Sequence, residues 1–274
     1  MQKPKKDRID NLLVHLDLAE TTDEAARFVM AGLVVVDDHR VDKPGQMFPA
    51  DSVVRLKAHN KFASRGGLKL EKAVDEFLID FKGKTVIDIG ASTGGFTDVA
   101  INAGAAKIFA VDTGKGQLDP RLARDERVKV LDATNFRTIP YETIGTKADI
   151  FVCDVSFISL SMIIPACVQF CKEDSEAVFL IKPQFEAERN EVGRGGIVFD
   201  RSVHERVISQ VITWGAESGF TFFGLCTSPI KGAKGNIEYL VYFRYNVQLD
   251  EPDIQSIVSR VVYENHSYSR QTPR

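Results

Sequence analysis

The sequence predicts an α/β protein in which an open, mostly parallel β-sheet follows a small α+β module. From residue 84 onward, apolar runs of strand length alternate with helical or irregular stretches. The runs are continuous rather than alternating, which is typical of strands that are covered on both faces, as in parallel sheets. The chain has 274 residues, which is enough for one large domain preceded by a small one.

Composition favours a soluble globular protein, with 44% hydrophobic and 27% charged residues. The sequence contains no run of about 18 apolar residues. Its charged N-terminus is not followed by an apolar stretch, as a secretory signal would require. We therefore expect a cytoplasmic protein. Cys153, Cys167, Cys171 and Cys226 form no C-x-x-C pair, so we predict buried reduced thiols rather than zinc ligands.

The distribution of charge is more informative than its total. The formal net charge is −3, which argues against a general nucleic-acid-binding protein. Residues 55–72 nevertheless carry six Lys or Arg against one Glu, and the first eight residues carry four against one Asp. Two local basic segments suggest an anionic partner that docks in one place, and solvated charge runs explain the composition equally well.

Residues 8–58 predict two short helices followed by a β-hairpin. Apolar residues recur at helical spacing in residues 8–18 and again in residues 21–31. Gly32 ends the second helix. Apolar segments on either side of Asp37-Asp38 predict two strands joined by a tight turn, and a further strand follows.

This N-terminal pattern resembles the S4 RNA-binding domain. The resemblance is carried by Arg8-Ile9-Asp10, Leu13, Ala25-Ala26, Gly32, Val34, Val36 and Asp51. In that family the helical pair offers basic side chains to RNA phosphates. The resemblance implies an S4-like domain over residues 1–59, with Lys5, Lys6, Arg8 and Arg27 as RNA-binding candidates.

Five apolar segments in the second region predict parallel strands: KTVIDIG, AKIFAVD, VKVLDA, ADIFVCDV and AVFLIKP. Two later segments, FTFFGLCTSP and IEYLVYFRY, have a short link between them and predict an antiparallel pair that closes the sheet. Six parallel strands and one reversed strand resemble the Rossmann-like class I methyltransferases, with their seven-stranded, mostly parallel sheet.

The glycine-rich loop after the first of these strands, DIGASTGGF, indicates a ligand site. Glycines between a strand and a helix let backbone N–H groups approach a ligand closely. Asp112 ends the next strand, where a ribose-binding carboxylate is expected. A dinucleotide fingerprint requires glycine where this chain has Ser92, which disfavours NAD. S-adenosylmethionine lacks the pyrophosphate, and its positive charges suit Asp88.

We therefore predict an S-adenosylmethionine site. The binding candidates in and after the loop are Asp88, Gly90, Ser92, Thr93, Gly94, Gly95, Phe96 and Asp112. Residues 90–94, GASTG, also fit the nucleophile elbow of hydrolases. A hydrolase would need a later acid and a later histidine, and only His204 and His266 follow. The elbow normally comes after several strands, so this alternative is disfavoured.

Charged residues stand at the ends of two apolar strands. Asp154 ends FVCD and Lys182 ends FLIK. Burying an ammonium costs several kcal/mol unless it is compensated. Ligand sites of open α/β sheets lie at the carboxyl ends of the strands, so we expect both residues there. Lys69, on a predicted helix, and Glu238, at the start of the last strand, complete the ordered set Lys, Asp, Lys, Glu.

That ordered set resembles the catalytic tetrad of the 2′-O-ribose methyltransferases related to FtsJ. With the S4-like region and the SRGG and IKPQFE motifs, the chain to about residue 245 resembles the TlyA family, whose members often carry the older name haemolysin. The resemblance implies methylation of a cytidine 2′-hydroxyl in ribosomal RNA within ribosomal subunits. It also implies that Asp132, with Ala133 beside it, contacts adenine; the alternative is that Asp132 only forms a turn. The target nucleotide, the subunit and the oligomeric state stay open.

The residue types suit this chemistry. A ribose 2′-hydroxyl is a poor nucleophile and must lose its proton as it attacks. A lysine can accept that proton only when partly neutral, and burial or a nearby like charge favours the neutral form. We predict that Lys182 is the general base, that Lys69 positions the 2′-oxygen, and that Asp154 and Glu238 orient both lysines. Whether Lys182 or Lys69 takes the proton stays open.

The expected organisation is an S4-like domain at residues 1–59, a linker at 60–68, a methyltransferase domain at 69–246 and a tail at 247–274. The sequence of the tail predicts a helix followed by a disordered end, and we assign no role to the tail. Arg65 in the linker is a further RNA-binding candidate. The long charged segment 184–200 is expected to close over RNA, with Arg189 and Arg194 near phosphates.

Two alternatives belong to other functional classes. A membrane-lytic protein, as the haemolysin name suggests, would need an amphipathic or apolar membrane segment, and the sequence shows none. A binding-only S4 protein with an inactive methyltransferase domain would not need the complete tetrad and the glycine-rich loop, which argue against it.

Overall fold

A computed structural model describes residues 6–16, 18–19, 21–56, 61–249 and 252–268. The chain divides into two compact units, Met1–Asn60 and Lys61–Arg274. The predicted RNA-binding residue Lys5 and the predicted disordered end of the tail lie outside the described residues.

The described residues of the first unit form two helices and five short strands. They are β1 (Lys6–Arg8), α1 (Ile9–His15), α2 (Thr22–Met30), β2 (Val34–Val36), β3 (His39–Val41), β4 (Met47–Pro49) and β5 (Val54–Leu56). Strand β2 lies between β3 and β5, and β1 pairs with β4. Asp37 and Asp38 have φ of 47° and 65°, the left-handed turn that matches the twist of a two-residue hairpin. The predicted helices and hairpin are confirmed.

The second unit contains seven strands and eight helices among its described residues. In chain order they are α3 (Gly67–Phe77), β6 (Thr85–Ile89), α4 (Gly95–Asn102), β7 (Lys107–Val111), α5 (Pro120–Ala123), β8 (Val128–Leu131), α6 (Tyr141–Ile144), β9 (Ala148–Cys153), α7 (Ile164–Cys167), β10 (Cys171–Ile181), α8 (Pro183–Glu186), α9 (Arg201–Glu217), β11 (Phe220–Thr227), β12 (Tyr239–Tyr245) and α10 (Ile254–Tyr268). Short 3₁₀ turns lie at Phe136–Thr138, Leu160–Met162, Val168–Phe170 and Ala233–Gly235.

These seven strands form one sheet in the order β11-β12-β10-β9-β6-β7-β8. Strand β12 is antiparallel to both of its neighbours, and the pairs among β6–β10 are parallel. The predicted fold class is therefore confirmed. The chain leaves β6 in one direction toward β8 and returns to β9 on the other side. Ligands of open α/β sheets bind at such a reversal of strand order.

Apolar side chains cover both faces of this sheet, which explains the continuous apolar runs. Ile87, Phe151 and Phe179 belong to a core that includes residues of α9 and α10. Their neighbours Val86, Ile150 and Val178 belong to a second core with residues of α3 and α4. Each strand thus supplies alternate residues to two layers. The predicted tail helix is confirmed, and it contributes to the first of these cores.

The four cysteines are free and buried, as predicted. Burial raises the pKa of Cys171 and Cys226 to about 12. Over the described stretches of the chain, no helix is both long enough and apolar enough to cross a membrane.

Candidate active site

Two neighbouring strands deliver Asp154 and Lys182 to the same edge of the sheet. Strands β9 and β10 run parallel, with Phe179 paired to Cys153. Asp154 follows the end of β9, and Lys182 follows the end of β10 by one residue. Lys182 Nζ lies 2.6 Å from Asp154 Oδ1, so the ammonium has a close counterion.

Helix α3 and strand β12 supply the other two predicted residues. Lys69 Nζ lies 2.7 Å from Glu238 Oε2 and 3.4 Å from Asp154 Oδ2. Tyr239 pairs with Ile181 across β12 and β10, which places Glu238 beside Lys182 at the sheet edge. Lys69, Lys182 and Glu238 are only 8%, 7% and 2% exposed.

The four side chains, called the tetrad below, form a continuous chain of ion pairs in the order Lys182, Asp154, Lys69, Glu238. Two ammonium groups and two carboxylates give a formal charge of zero. Buried charges are tolerated when they are paired in this way, whereas removal of one partner leaves an uncompensated charge. The structure thus brings together the four residues that the sequence singled out.

A cavity of about 490 Å³ lies at the tetrad. Besides the tetrad, it is lined by Ser64, Arg65, Gly66, Gly90, Ala91, Ser92, Thr93, Gly95, Phe96, Ser156, Phe157, Gln184, Phe185, Ile230, Lys231 and Gly232. We call it the tetrad cavity. Since ligand pockets have typical volumes of about 300–1,000 Å³, it is large enough for a nucleotide-sized group.

A second cavity of about 500 Å³ adjoins the first at the reversal of strand order. It shares Gly90, Ser92, Asp154, Ser156 and Phe157 with the tetrad cavity. Its other lining residues are Ile89, Val111, Asp112, Thr113, Gln117, Thr134, Asn135, Phe136, Arg137, Val155, Ile158 and Ile163. We call it the loop cavity. The walls combine apolar side chains with a few polar groups, as small-molecule sites do.

At several positions of the predicted binding loop, only glycine avoids a steric clash. Gly90 has φ of 83°, and a Cβ there would lie 3.0 Å from the backbone oxygen of Asp154. At Gly95 a Cβ would lie 2.4 Å from Ser64 Oγ. Gly94, with φ of 94°, packs against Leu122 and lines neither cavity. The loop therefore approaches its neighbours at distances that side chains would prevent.

Asp112 lies at the loop cavity, as predicted. Its Oδ2 accepts from the Ser92 amide at 2.8 Å, and its Oδ1 accepts from the Gly114 amide at 2.6 Å. Asp132 accepts instead from the Gly116 amide at 2.8 Å, and neither it nor Ala133 lines either cavity.

Thr134 and Asn135, two residues further along, take the place expected of Asp132 and Ala133 in the loop-cavity lining. Ala133 has φ of 50°, and this turn redirects the chain. Thr134 and Asn135 are therefore further candidates for contact with a ligand in the loop cavity, and the role predicted for Asp132 and Ala133 stays a prediction.

Asp88 lies beneath the loop rather than in a cavity wall. It is 1% exposed, and its Oδ2 accepts from the Thr97 hydroxyl at 2.6 Å. Its Oδ1 is buried and has no hydrogen-bond partner. Burial raises the pKa of this carboxyl group to about 7. A buried acceptor without a partner is unusual and calls for an explanation.

The residues that the sequence did not single out but that line the tetrad cavity include Ser156, Gln184 and Phe157. Lys182 Nζ donates to Ser156 Oγ at 2.9 Å. Gln184 has a buried Oε1 without a partner. Phe157 is 89% exposed and has φ of 63°, and its ring lies 4.9 Å from that of Phe185. Only the strained backbone conformation of Phe157 marks it as unusual, and the sequence does not show it.

The predicted RNA-binding residues differ in whether they line a cavity and in whether they have an ion-pair partner. Arg65 is exposed and lines the tetrad cavity, whereas Arg189 and Arg194 are exposed outside both cavity linings. In the first unit, Lys6 and Arg27 are exposed. Arg8 donates to Asp10 at 2.9 Å, and this hydrogen bond raises the pKa of the arginine.

Among the described side chains, no histidine lies at Ser92 as the nucleophile-elbow alternative requires, and the side chain of His266 is outside the described set. His204 is buried, with Nδ1 2.9 Å from the Tyr239 hydroxyl and Nε2 2.9 Å from the Val198 carbonyl oxygen. Burial lowers its pKa. Ser92 Oγ lies instead 3.4 Å from Gln117 Oε1. His204 therefore serves the packing around β12, and the geometry does not support a hydrolase.

Comparison with known families agrees with this geometry. A family model described as FtsJ-like methyltransferase matches residues 62–245, and one described as S4 domain matches residues 7–54. The first match covers the tetrad and both cavities.

Individual proteins resemble the chain over nearly its whole length. A protein of Bacillus subtilis, provisionally named the rRNA methyltransferase YqxC, is 44% identical and covers 96% of this chain and 95% of its own. The 16S/23S rRNA (cytidine-2′-O)-methyltransferase TlyA of Mycobacterium tuberculosis is 37% identical, over 95% of this chain and 98% of its own. A solved structure from Streptococcus thermophilus, provisionally named a hemolysin, is 40% identical with a TM-score of 0.74, over 98% of each chain. The chain therefore belongs to the FtsJ-like methyltransferases and, among them, to the TlyA family.

Proposed function

We propose that this protein is an S-adenosylmethionine-dependent methyltransferase that modifies the 2′-hydroxyl of a cytidine in ribosomal RNA. The observation that carries the proposal is the ion-paired tetrad beside a glycine-rich loop, at the carboxyl edge of a parallel sheet. The cytidine and the ribosomal RNA are supported by the name of the Mycobacterium tuberculosis relative. Such a substrate would place the protein in the cytoplasm.

The loop cavity fits S-adenosylmethionine. An ionised carboxylate has about four acceptor positions, so Asp112 can accept ribose hydroxyls in addition to its two amide contacts. Val111 and Phe136 offer apolar walls to a flat ring. The partnerless Oδ1 of Asp88, beneath the loop, suits a cationic amino group nearby. When bound, S-adenosylmethionine supplies an electrophilic methyl group.

Lys182 is the residue best placed to remove the hydroxyl proton. It ends the buried strand β10, and Asp154 and Ser156 hold its ammonium nitrogen at 2.6 and 2.9 Å. Asp154 stabilises the ammonium that forms when Lys182 accepts a proton, so its contribution increases as the proton moves. The Lys69 ammonium contacts the same carboxylate, so Asp154 is shared between the two lysines.

Lys69 is suited to position the 2′-oxygen. Glu238 and Asp154 hold it from two sides, at 2.7 and 3.4 Å. An ammonium has three N–H donors, so Lys69 keeps one for a substrate oxygen after both ion pairs are made. That hydrogen bond would stabilise the negative charge that develops on the oxygen.

Other features favour an RNA substrate. Phe157 presents an exposed ring where the two cavities meet, and unstacked RNA bases are held by aromatic rings in many complexes. In the S4-like unit, Lys6, Arg8 and Arg27 are the candidates for phosphate contacts. We assign residues 1–59 to RNA binding and 69–246 to methyl transfer. Of the predicted linker 60–68 and tail 247–274, Phe62 and Val258 pack into the two cores of the second unit.

The test is methyl transfer from labelled S-adenosylmethionine to unmodified ribosomal RNA, supplied both as transcripts and within ribosomal subunits. A 2′-O-methyl group protects the adjacent phosphodiester bond from alkaline hydrolysis, so the labelled position should appear as an alkali-resistant dinucleotide. Label on a base, or none on any RNA, would refute the proposed function.

A further inference from the structure

Two cations that line the tetrad cavity have no counterion among the described residues. The charged residues that line this cavity are the four members of the tetrad, Arg65 and Lys231. The charges of the tetrad cancel. Arg65 and Lys231 make no ion pair with any described residue, and both are exposed. The cavity therefore carries an excess of positive charge, although the chain as a whole carries a formal charge of −3.

Arg65 lies at a second source of positive potential. It directly precedes Gly66, the N-cap of α3, and three residues separate it from Lys69. Helix α3 has no side-chain cap and no acidic residue in its first turn. The amino end of a helix carries a partial positive charge that favours anions, and no carboxylate of α3 offsets it here.

Lys231 is fixed beside the other end of the tetrad. The connection between β11 and β12 is closed by backbone hydrogen bonds from Gly232 to Asn236 at 2.8 Å and from Ser228 to Glu238 at 2.9 Å. Gly232 packs so tightly on Glu238 that an added Cβ would lie 1.9 Å from Oε1. Lys231 therefore projects from a segment that is anchored to the tetrad itself.

A ribose within an RNA chain carries a phosphodiester group on each side. We infer that Arg65 and Lys231 bind the two phosphodiester groups that flank the ribose to be methylated. This inference rests on the proposed function, and it makes the tetrad cavity selective for a nucleotide inside a chain over a free nucleoside. A guanidinium can bind a phosphate through two parallel hydrogen bonds, and an ammonium can bind one as a point charge.

The inference is tested with Arg65→Gln and Lys231→Gln, the charge-keeping variants Arg65→Lys and Lys231→Arg, and the control Lys82→Gln. Lys82 is exposed and precedes β6, so it lies at the opposite, amino edge of the sheet. The probe is an unmodified ribosomal RNA transcript. Its Kd is measured over a series of salt concentrations, together with KM and kcat for methyl transfer.

Each Gln variant should weaken RNA binding roughly 10-fold, with a change in kcat of less than about twofold. Each should also lower the slope of log Kd against log salt by about 0.7, the value for one contact to a single-stranded phosphate. Lys231→Arg and Arg65→Lys should recover much of the affinity, and Lys82→Gln should match the wild type. Calorimetry should give an unchanged Kd for S-adenosylmethionine, and thermal unfolding should show that the variants are folded.

Two results would overturn the inference. One is a wild-type salt slope in both Gln variants. The other is weaker S-adenosylmethionine binding by Arg65→Gln with an unchanged salt slope for RNA, which would assign Arg65 to the carboxylate of the cofactor. Failure of the wild-type protein to methylate RNA would instead refute the proposed function, and the binding measurements do not depend on that activity.

Discussion

The Lys182 ammonium lies 2.6 Å from the Asp154 carboxylate, across two neighbouring parallel strands. The same carboxylate contacts Lys69, so Asp154 links the two lysines. The strand ends thus produce a buried site in which each charge has a partner.

Lys182→Arg tests whether Lys182 acts only through its positive charge or also as a proton acceptor. Arginine keeps the positive charge but cannot act as a base at neutral pH, so both Lys182→Arg and Lys182→Ala should lose methyl transfer by about 10²–10⁴-fold. The measurement is single-turnover methyl transfer at saturating RNA, with calorimetry of S-adenosylmethionine as the control for an intact site. Near-native activity of Lys182→Arg would rule out its role as base and favour Lys69.

Glu238→Gln leaves the Lys69 ammonium without its closest counterion in a site where both side chains are buried. The expected loss in the free energy of unfolding is about 3 kcal/mol. Lys69→Met combined with Glu238→Gln should be less destabilised than the sum of the single changes. The measurement is urea unfolding.

The matched control for that pair is the exposed ion pair Lys72–Glu76 on the same helix. Glu76→Gln should change the free energy of unfolding by less than about 1 kcal/mol, because exposed pairs are solvated. Equal effects of Glu76→Gln and Glu238→Gln would contradict the assigned burial of the tetrad.

Asp88→Asn should make stability less sensitive to pH. Burial raises the pKa of Asp88 to about 7 in the folded protein, from 3.8 in the reference state. Between these values the folded state binds more protons than the unfolded state, so this group lowers stability as the pH rises. The free energy of unfolding of Asp88→Asn, relative to that of the wild type, should therefore increase by on the order of 2 kcal/mol between pH 5 and pH 8.

An asparagine at position 88 can still accept from Thr97, so the packing beneath the loop is preserved. The variant should nevertheless bind S-adenosylmethionine less tightly, since it offers no negative charge. The measurement is urea unfolding at both pH values with calorimetry at pH 7. A pH-independent difference in unfolding free energy would show that Asp88 does not titrate in this range.

Phe157→Gly should weaken RNA binding without lowering the free energy of unfolding. The ring is 89% exposed, and its backbone φ of 63° suits glycine better than phenylalanine. The free energy of unfolding should stay within about 1 kcal/mol of the wild type. The Kd for RNA should rise roughly 10-fold, as expected for the loss of one stacked base.

Phe157→Trp is the control, because it retains an aromatic face and should keep most of the RNA affinity. Since Phe157 borders both cavities, S-adenosylmethionine binding must be measured as well. A loss confined to S-adenosylmethionine binding would assign the ring to the loop cavity instead.

The sequence predicts the sheet and the tetrad because both leave unusual local patterns. Continuous apolar runs indicate strands covered on both faces, and a lysine at the end of such a run demands a counterion. The strands β1 and β4 escaped prediction because β1 consists of three charged residues and β4 ends in proline, neither of which is a strand signal. The tail helix was predicted, but its place in the core depends on packing that only the structure shows.

The remaining site residues could not be predicted, because their residue types are ordinary. Ser156, Gln184 and Lys231 become significant only where distant segments meet at one cavity. Thr134 and Asn135 line the loop cavity directly after Ala133, which has a left-handed φ of 50°. Alanine gives no sequence signal for that conformation.

The neutrality of the tetrad also limits how the site can change over evolutionary time. Any single substitution that removes one charge leaves an opposite charge buried, so most one-step intermediates would be both inactive and less stable. Drift toward another chemistry would require two compensating substitutions, one acidic and one basic. The network of ion pairs therefore restricts which single substitutions the protein can accept, in addition to holding the four side chains in place.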